Sequence, residues 1–437
     1  MTTSAFEEAA GTAPRTDLPW QQPNNTEGTA WQRICALGPG STPTPAGATY
    51  LPFPWASWID AVHRGLRHPD PPLRRWPAQA PVATVCQHIW ALEHLEALRA
   101  AGVTDLFWSH ATRRETHRSG LRLHPFPLLP VRCLSHPPEQ PPLSAEARRW
   151  LYCFQGYHPP EGYLTDVRRW LLALPPRPDA LLARRGEWHF EQEVYREQLH
   201  GLPPDPQRQR LLDTDARSYA DALAHSCFAL CPSGAGPNSI RLWEALGFGA
   251  IPVILSDSLR LPGPEAAWRQ AALFVPERQT AVAALPQQLA DLRADPERLR
   301  AMQSAGAALW ARYGPQSFVA DVGDLLADPD AWLRQRALER LEAAAAAAPG
   351  APAPPPAEEW LLADPAGLPL RLRRWRAQAP DGARLLLRLV DDRPAPLQER
   401  LWGAALRIGS ALLAERPGLR WAVSARAPAL EQLGRAG

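Results

Sequence analysis

Residues 227–263 read CFALCPSGAGPNSIRLWEALGFGAIPVILSDSLRLPG. Cys227 to Cys231 is an apolar run of strand length. Pro232 to Pro237 is a tight loop with two glycines. Asn238 or Ser239 N-caps a predicted helix through Leu246, which Gly247 and Gly249 stop. Ile251 to Leu255 is a second apolar run. Strand, glycine loop, helix and strand in that order make a parallel-sheet unit. The unpaired N–H groups at the start of such a helix, with its dipole, favour an anion. Arg241 in the first turn adds a planar, two-pronged donor suited to phosphate. Glu244 follows one turn later on the same face and is able to accept from sugar hydroxyls. The same spacing also fits an ordinary strand–loop–helix turn with a surface Arg–Glu pair.

Over more than thirty residues this stretch resembles the exostosin-like glycosyltransferases. The shared pattern is a hydrophobic strand, Cys-Pro-x-Gly, Asn-Ser-x-Arg-hydrophobic-x-Glu-Ala, and Gly-x-Ile-Pro-Val-x-hydrophobic-Ser-Asp. The resemblance extends to Cys86 to His88, Phe107 to His110, Pro125 to Leu128 and Glu187 to Tyr195. It implies a GT-B fold, in which two Rossmann-like domains face a cleft. It also implies that Ser233, Gly234, Gly236, Asn238 and Ser239 line a donor diphosphate, that Arg241 neutralises it and that Glu244 holds the ribose. The donor implied is a nucleotide-diphosphate sugar, uridine-based by that likeness alone, and the acceptor a saccharide hydroxyl attacking with inversion.

Composition narrows the chemistry. The 437 residues suffice for two or three domains. The net charge of +2 gives no nucleic-acid surface. All 47 basic residues are arginine, so phosphate recognition must use arginine and backbone rather than a Walker, Schiff-base or kinase lysine. The start of the chain lacks the pattern of a signal peptide, and no apolar run is long enough to span a membrane. The expectation is a cytoplasmic protein, compatible with resting on a membrane surface. The six cysteines show no C-x2-C pair and read as buried thiols rather than zinc ligands.

In order, residues 1–48 read as a poorly ordered arm. Residues 49–142 read as an acceptor-side Rossmann-like domain ending in a proline-rich linker. Residues 143–342 read as the nucleotide-sugar domain, with a late helix crossing back to the first. Residues 343–357 read as an Ala/Pro linker, and 358–437 as a small α+β appendage. The nucleotide-sugar domain opens with a strand ending at Gly156 and a helix carrying Arg168, which makes Gly156 a donor contact. Arg217, one helix before the central strand, points to the diphosphate or is a surface charge.

His88 and His110 end strands of the first domain, where open sheets bind ligands, and are candidate bases for the acceptor hydroxyl. Their alternative is a hydrogen-bonded structural role; His189 is a third candidate. Asp213-Thr214-Asp215 has the D-x-D pattern of metal-binding transferases but precedes a predicted helix, so N-capping is favoured and no metal is assigned. The first reading is a metal-independent glycosyltransferase with no cofactor beyond its donor substrate. A nucleotide-sugar-binding scaffold is the alternative, and an epimerase a weaker third.

Overall fold

A computed structural model describes residues 17–37, 48–68, 71, 73, 81–113, 115–158, 162–186, 191–346, 357–362, 368–379, 383–389, 419–425 and 433–435. The first sheet holds β1 (Thr49–Tyr50), β2 (Val82–Cys86), β3 (Asp105–Trp108), β4 (His117–Arg118) and β5 (Leu121–Pro125), in the order β1-β2-β3-β5-β4. All its pairings are parallel except β4 against β5. The second sheet holds β6 (Trp150–Tyr157), β7 (Ala180–Arg185), β8 (Ser226–Pro232), β9 (Ile251–Leu255) and β10 (Leu273–Phe274). Its order is β10-β9-β8-β6-β7, and every pairing is parallel.

Strands buried on both faces must be apolar throughout. β9 obeys this throughout and β8 from Cys227 onward, and all of their residues are buried. Helices cover both faces of each sheet. One face of the second sheet packs Trp243, Leu246, Trp268 and Tyr313, and the other packs Val167, Leu171, Leu285, Leu289 and Met302. These two Rossmann-like domains face a common cleft. Between them, the loop after β9 runs antiparallel to the loop after β3. Thr112 bridges Leu259, Arg113 N donates to Ser258 O at 2.9 Å, and Arg260 N donates to Ala111 O at 3.0 Å.

The late helices do cross to the first domain. Phe318, Val322, Leu325, Trp332 and Leu333, from the segment with helices Ala320–Ala327 and Pro329–Ala346, pack with Ala83, Val85, Phe107 and Phe126. The second of these helices runs to Ala346, so the start of the expected linker is helical, while 347–356 lie outside the described residues. It then serves a third sheet, ordered β11 (Glu358–Leu362), β12 (Arg384–Leu389), β13 (Arg420–Ala425) and β14 (Leu433–Arg435). Ala337 and Leu341 pack there on Leu386 and Ala422. A helix expected near 397–415 lies outside the described residues.

The expectation of a disordered arm over 1–48 is corrected for its described part. Residues 17–37 fold onto the first domain, with a helix at Thr26–Ala36 capped by Asn25, whose Oδ1 accepts from Gly28 N at 2.8 Å. Ala30 and Ile34 enter the core shared with the late helices. Glu27 is buried and accepts from Ala56 N and Gln87 N at 3.1 and 3.0 Å. Gln87 Oε1 in return accepts from Thr26 N at 2.8 Å. A Thr-, Pro- and Asn-rich segment orders because its polar groups find fixed partners, which composition does not show. No helix among the described residues is long and apolar enough to cross a membrane.

Candidate functional site

The strand order of the second sheet reverses between β6 and β8. Open parallel sheets bind ligands at such a switch point, beyond the carboxyl ends of the strands. A cavity of about 490 Å³ opens there and extends to the first domain. Gly156 ends β6 on its floor, and Gly234 and Gly236 come from the loop after β8. A Cβ on Gly156 would stand 2.7 Å from the Phe154 ring and 3.4 Å from an Arg241 nitrogen. A Cβ on Gly234 would stand 2.9 Å from an Arg168 nitrogen. Gly234 is bare so that the Arg168 guanidinium can lie against the backbone, whereas at Gly156 a methyl would meet the Phe154 ring.

Arg241 and Arg168 form the cationic wall. Arg241, 7% exposed, donates from Nη2 to Gln155 O and lies 4.6 Å from the Phe154 ring centre and 5.6 Å from that of Tyr219. Its Nε is buried without an acceptor. Arg168 donates from Nε to Ser233 O at 2.8 Å and from Nη1 to Tyr157 O at 3.1 Å, with its guanidinium 4.7 Å from the Tyr163 ring centre. Burial lowers its pKa to about 10, still charged at neutral pH. Among the described residues neither guanidinium has a carboxylate within ion-pair distance. One buried and one half-buried cation, neither paired with a carboxylate, beside the open start of helix Ile240–Gly247 make a site for an anion with more than one charge. Arg241 was legible from the central motif. Arg168 was not assigned a role, although the strand–glycine–helix spacing around Gly156 offered a signal.

Several expected residues take other places. The Ser233 hydroxyl donates to Glu277 and its N–H to Leu255 O, and it does not line the cavity. Arg217 is exposed and also off the cavity. Position 216 and position 219 of the same helix face the cavity, and one residue's rotation turns Arg217 to solvent. Glu244 is 1% exposed and lies beneath the floor. Its oxygens accept from Arg132 N at 3.0 Å and Tyr219 Oη at 2.9 Å, so it joins three helices rather than facing a ribose. Burial raises its pKa. Because Arg241 and Glu244 are both buried, the surface-pair alternative fails as well.

Asn238 lines the cavity, but its amide is committed. Nδ2 donates to Ser109 O of the first domain at 2.6 Å, and Oδ1 accepts from Trp243 Nε1 at 3.0 Å. Ser239 is the N-cap residue, without a side-chain capping bond, and lines the cavity. Asp213, Thr214 and Asp215 lie inside helix Pro206–Ala224, whose actual N-cap is Asp205, accepting from Gln207 N and Arg208 N. The expected N-cap role of the tripeptide is thereby corrected. Side chains two apart on a helix diverge. Asp213 accepts from Gln209 at 3.0 Å, while Asp215 pairs with Arg185.

The first domain closes the cavity with His88, His110, Asp60, Gln87, Gln21 and Asn24. Both histidines expected as bases line the cavity, and His88 has both ring nitrogens engaged. His88 Nδ1 accepts from Trp90 N at 3.2 Å, and Nε2 faces Asp60 Oδ1 at 3.3 Å. His110 has Nδ1 buried without a partner, packed on Gly236, and burial lowers its pKa to about 3. His189 lies outside the described residues. Asp60 and the polar residues of the N-terminal segment were missed, because Asp60 hides in an apolar helix, WASWIDAVH, and the segment read as an arm.

Residues 93–289 match the Exostosin GT47 domain family. Similar curated proteins include the probable glucuronoxylan glucuronosyltransferase IRX7 of Arabidopsis thaliana, 42% identical over 73 residues that cover 16% of this chain and 15% of that one. The probable beta-1,4-xylosyltransferase IRX10 of the same plant is 37% identical over 95 residues, covering 20% and 23%. The chain thus aligns with less than a quarter of these relatives' length. Among solved structures, WaaG, a glycosyltransferase involved in lipopolysaccharide biosynthesis, is a loose likeness. It has a TM-score of 0.35 and 13% identity, over 71% of this chain and 98% of that one.

Proposed function

We propose that this chain, which carries an exostosin GT47 domain over residues 93–289, transfers a glycosyl group from a nucleotide-diphosphate sugar to a saccharide hydroxyl. The observation that carries the reading is the pair of guanidinium groups, Arg241 buried and Arg168 half-buried, that meet no carboxylate at the switch point of the second sheet. A diphosphate supplies the charges they lack. As the bond from the anomeric carbon to the diphosphate breaks, its electron pair goes to the leaving oxygen. Fixed cations and helix N–H groups already face that charge, and one such donor is worth about 10²–10³ in rate. In this reading the two arginines supply the positive charge that a metal would otherwise bring. The acceptor attacks from the first-domain side of the cavity, opposite the leaving group, which gives inversion. The family resemblance favours a uridine donor, and the xylosyl- and glucuronosyltransferase names of the relatives suggest the donors to try first.

The test is calorimetric titration with UDP, GDP and NAD, with and without Mn²⁺. UDP-xylose, UDP-glucuronic acid, UDP-glucose and UDP-N-acetylglucosamine then follow, with UDP release measured against water and xylohexaose. Manganese-independent UDP binding followed by release is expected. No nucleoside diphosphate binding refutes the reading, and binding without turnover favours the scaffold alternative.

A further inference from the structure

The cavity has a cationic wall on the second domain and a carboxylate on the first. Asp60 sits in helix Trp55–His63, 4% exposed, and lines the cavity. Its Oδ2 accepts from Gln21 Nε2 at 2.7 Å, and its Oδ1 faces His88 Nε2 at 3.3 Å. Gln21 is itself held, its Oε1 accepting from Gln87 Nε2 at 2.9 Å. A carboxylate has about four lone-pair positions, and these contacts use two. Asp60 therefore keeps accepting capacity, in a fixed orientation, inside the space where an acceptor must sit.

The neighbouring groups lack that capacity. His88 Nδ1 already accepts from Trp90 N, which leaves its proton on Nε2, directed at Asp60. His110 packs its Nδ1 against Gly236, and burial of the ring makes it a poor proton acceptor beside a carboxylate. Asp215, the other carboxylate on the cavity, is paired with Arg185. Asp60 has no arginine partner among the described residues, and its ion-pair partner there is the His88 ring.

We infer that Asp60 is the general base of the transfer, positioned by His88 and Gln21. This rests on the glycosyltransferase reading above. In the step, the acceptor O–H gives its proton to an Asp60 oxygen. The acceptor oxygen bonds to the anomeric carbon, and the carbon–oxygen bond to the diphosphate breaks with its electron pair leaving on the diphosphate. Asp60 later returns the proton to solvent. The sensing group for the acceptor is then a carboxylate flanked by carboxamides, Gln21, Asn24 and Gln87. Such a wall suits an uncharged saccharide hydroxyl and repels an acceptor bearing a carboxylate at that point.

The experiment compares full-length wild type, Asp60→Asn and His88→Gln. UDP affinity is read by calorimetry, and UDP release from the four donors above is read with water and with xylohexaose. Asp60→Asn should bind UDP within threefold of wild type yet lose 10²–10⁴ in kcat, with the acceptor KM little changed. His88→Gln keeps an N–H that can face Asp60 but cannot take a proton, and should lose only about tenfold. Retained UDP binding also shows that Asp60→Asn is folded. Should Asp60→Asn fail to bind UDP, His88→Gln decides: a loss beyond 10²-fold makes the imidazole the base and overturns the assignment, and a small loss upholds it. Asp60→Asn turnover within threefold of wild type, or a loss confined to KM, also overturns it. So does a wild type that binds UDP but turns over no donor, whereas a wild type that binds no UDP fails the glycosyltransferase reading itself.

Discussion

Replacing Arg241 by methionine separates what this cation does for the fold from what it does for a ligand. In the unliganded chain the guanidinium donates to Gln155 O and contacts the Phe154 and Tyr219 rings, while Nε has no acceptor. The hydrogen bond is worth about 1.5–3 kcal/mol and the ring contacts about 1–2 kcal/mol. Against them stands the cost of desolvating the guanidinium, which Tyr219 and Glu244 nearby offset, and which methionine removes while filling much of the volume. The two effects nearly cancel, so Arg241→Met should keep its unfolding free energy within about 2 kcal/mol of wild type. The ligand loses a charge-assisted contact inside a dry site, about 3 kcal/mol, or roughly a hundredfold in affinity. Calorimetry with UDP measures the second quantity, and urea unfolding without ligand the first. The melting temperature of wild type should rise with UDP and that of the variant should not. UDP affinity within threefold of wild type would refute the ligand role, and destabilisation beyond about 4 kcal/mol would make Arg241 a structural group.

Gly236→Ala drives a methyl into the His110 ring and to 2.8 Å from Ile89 Cγ2. It should cost about 1–3 kcal/mol and weaken UDP binding by opening the contact between domains, seen as a larger radius of gyration in solution scattering. Asp105→Ala removes the buried carboxylate whose two oxygens bond Arg122 at 2.6 Å, and frees His124 from its 2.8 Å contact. The urea midpoint should fall by the equivalent of about 3–5 kcal/mol. Two buried groups should also give stability opposing pH dependences. Burial holds His110 at about 3, below its unfolded value of 6.5, so its contribution is present above 6.5 and is lost as pH falls toward 3. Burial raises Glu27 from 4.5 to about 8, so its contribution is full below 4.5 and is lost as pH rises through 8. Each single-proton slope is at most about 1.4 kcal/mol for every tenfold change in proton activity. The two offset each other between 4.5 and 6.5, so over pH 4 to 9 the urea midpoint of His110→Gln should rise as pH falls through that interval and Glu27→Gln should lose the decline between 6.5 and 8, and variants whose profiles parallel the wild type refute both.

The sequence by itself determined the parallel-sheet unit around residues 227–263. Continuous apolar runs, glycines and a helix start are local signals, and a buried parallel strand needs nothing else to be recognisable. It also determined that any phosphate recognition falls to arginine, since the chain has no lysine, and it put Arg241, Gly156, Gly234, Gly236 and Ser239 on what became the cavity. The tertiary structure alone decided which side chains keep a free valence. Glu244 and Asn238 lie in the same motif, yet their polar atoms are consumed by Arg132, Tyr219, Ser109 and Trp243, residues 5 to 129 positions away. Arg217 faces solvent because of the rotation of its helix, a phase that a short polar pattern does not fix. Gln21 reaches the site through a segment whose order depends on Gln87 and Glu27 meeting across some 60 residues, and there it holds Asp60 of helix Trp55–His63. Hydrogen-bond partnership between distant residues is settled by packing, and so the pocket was legible locally while the groups left free to act in it were not.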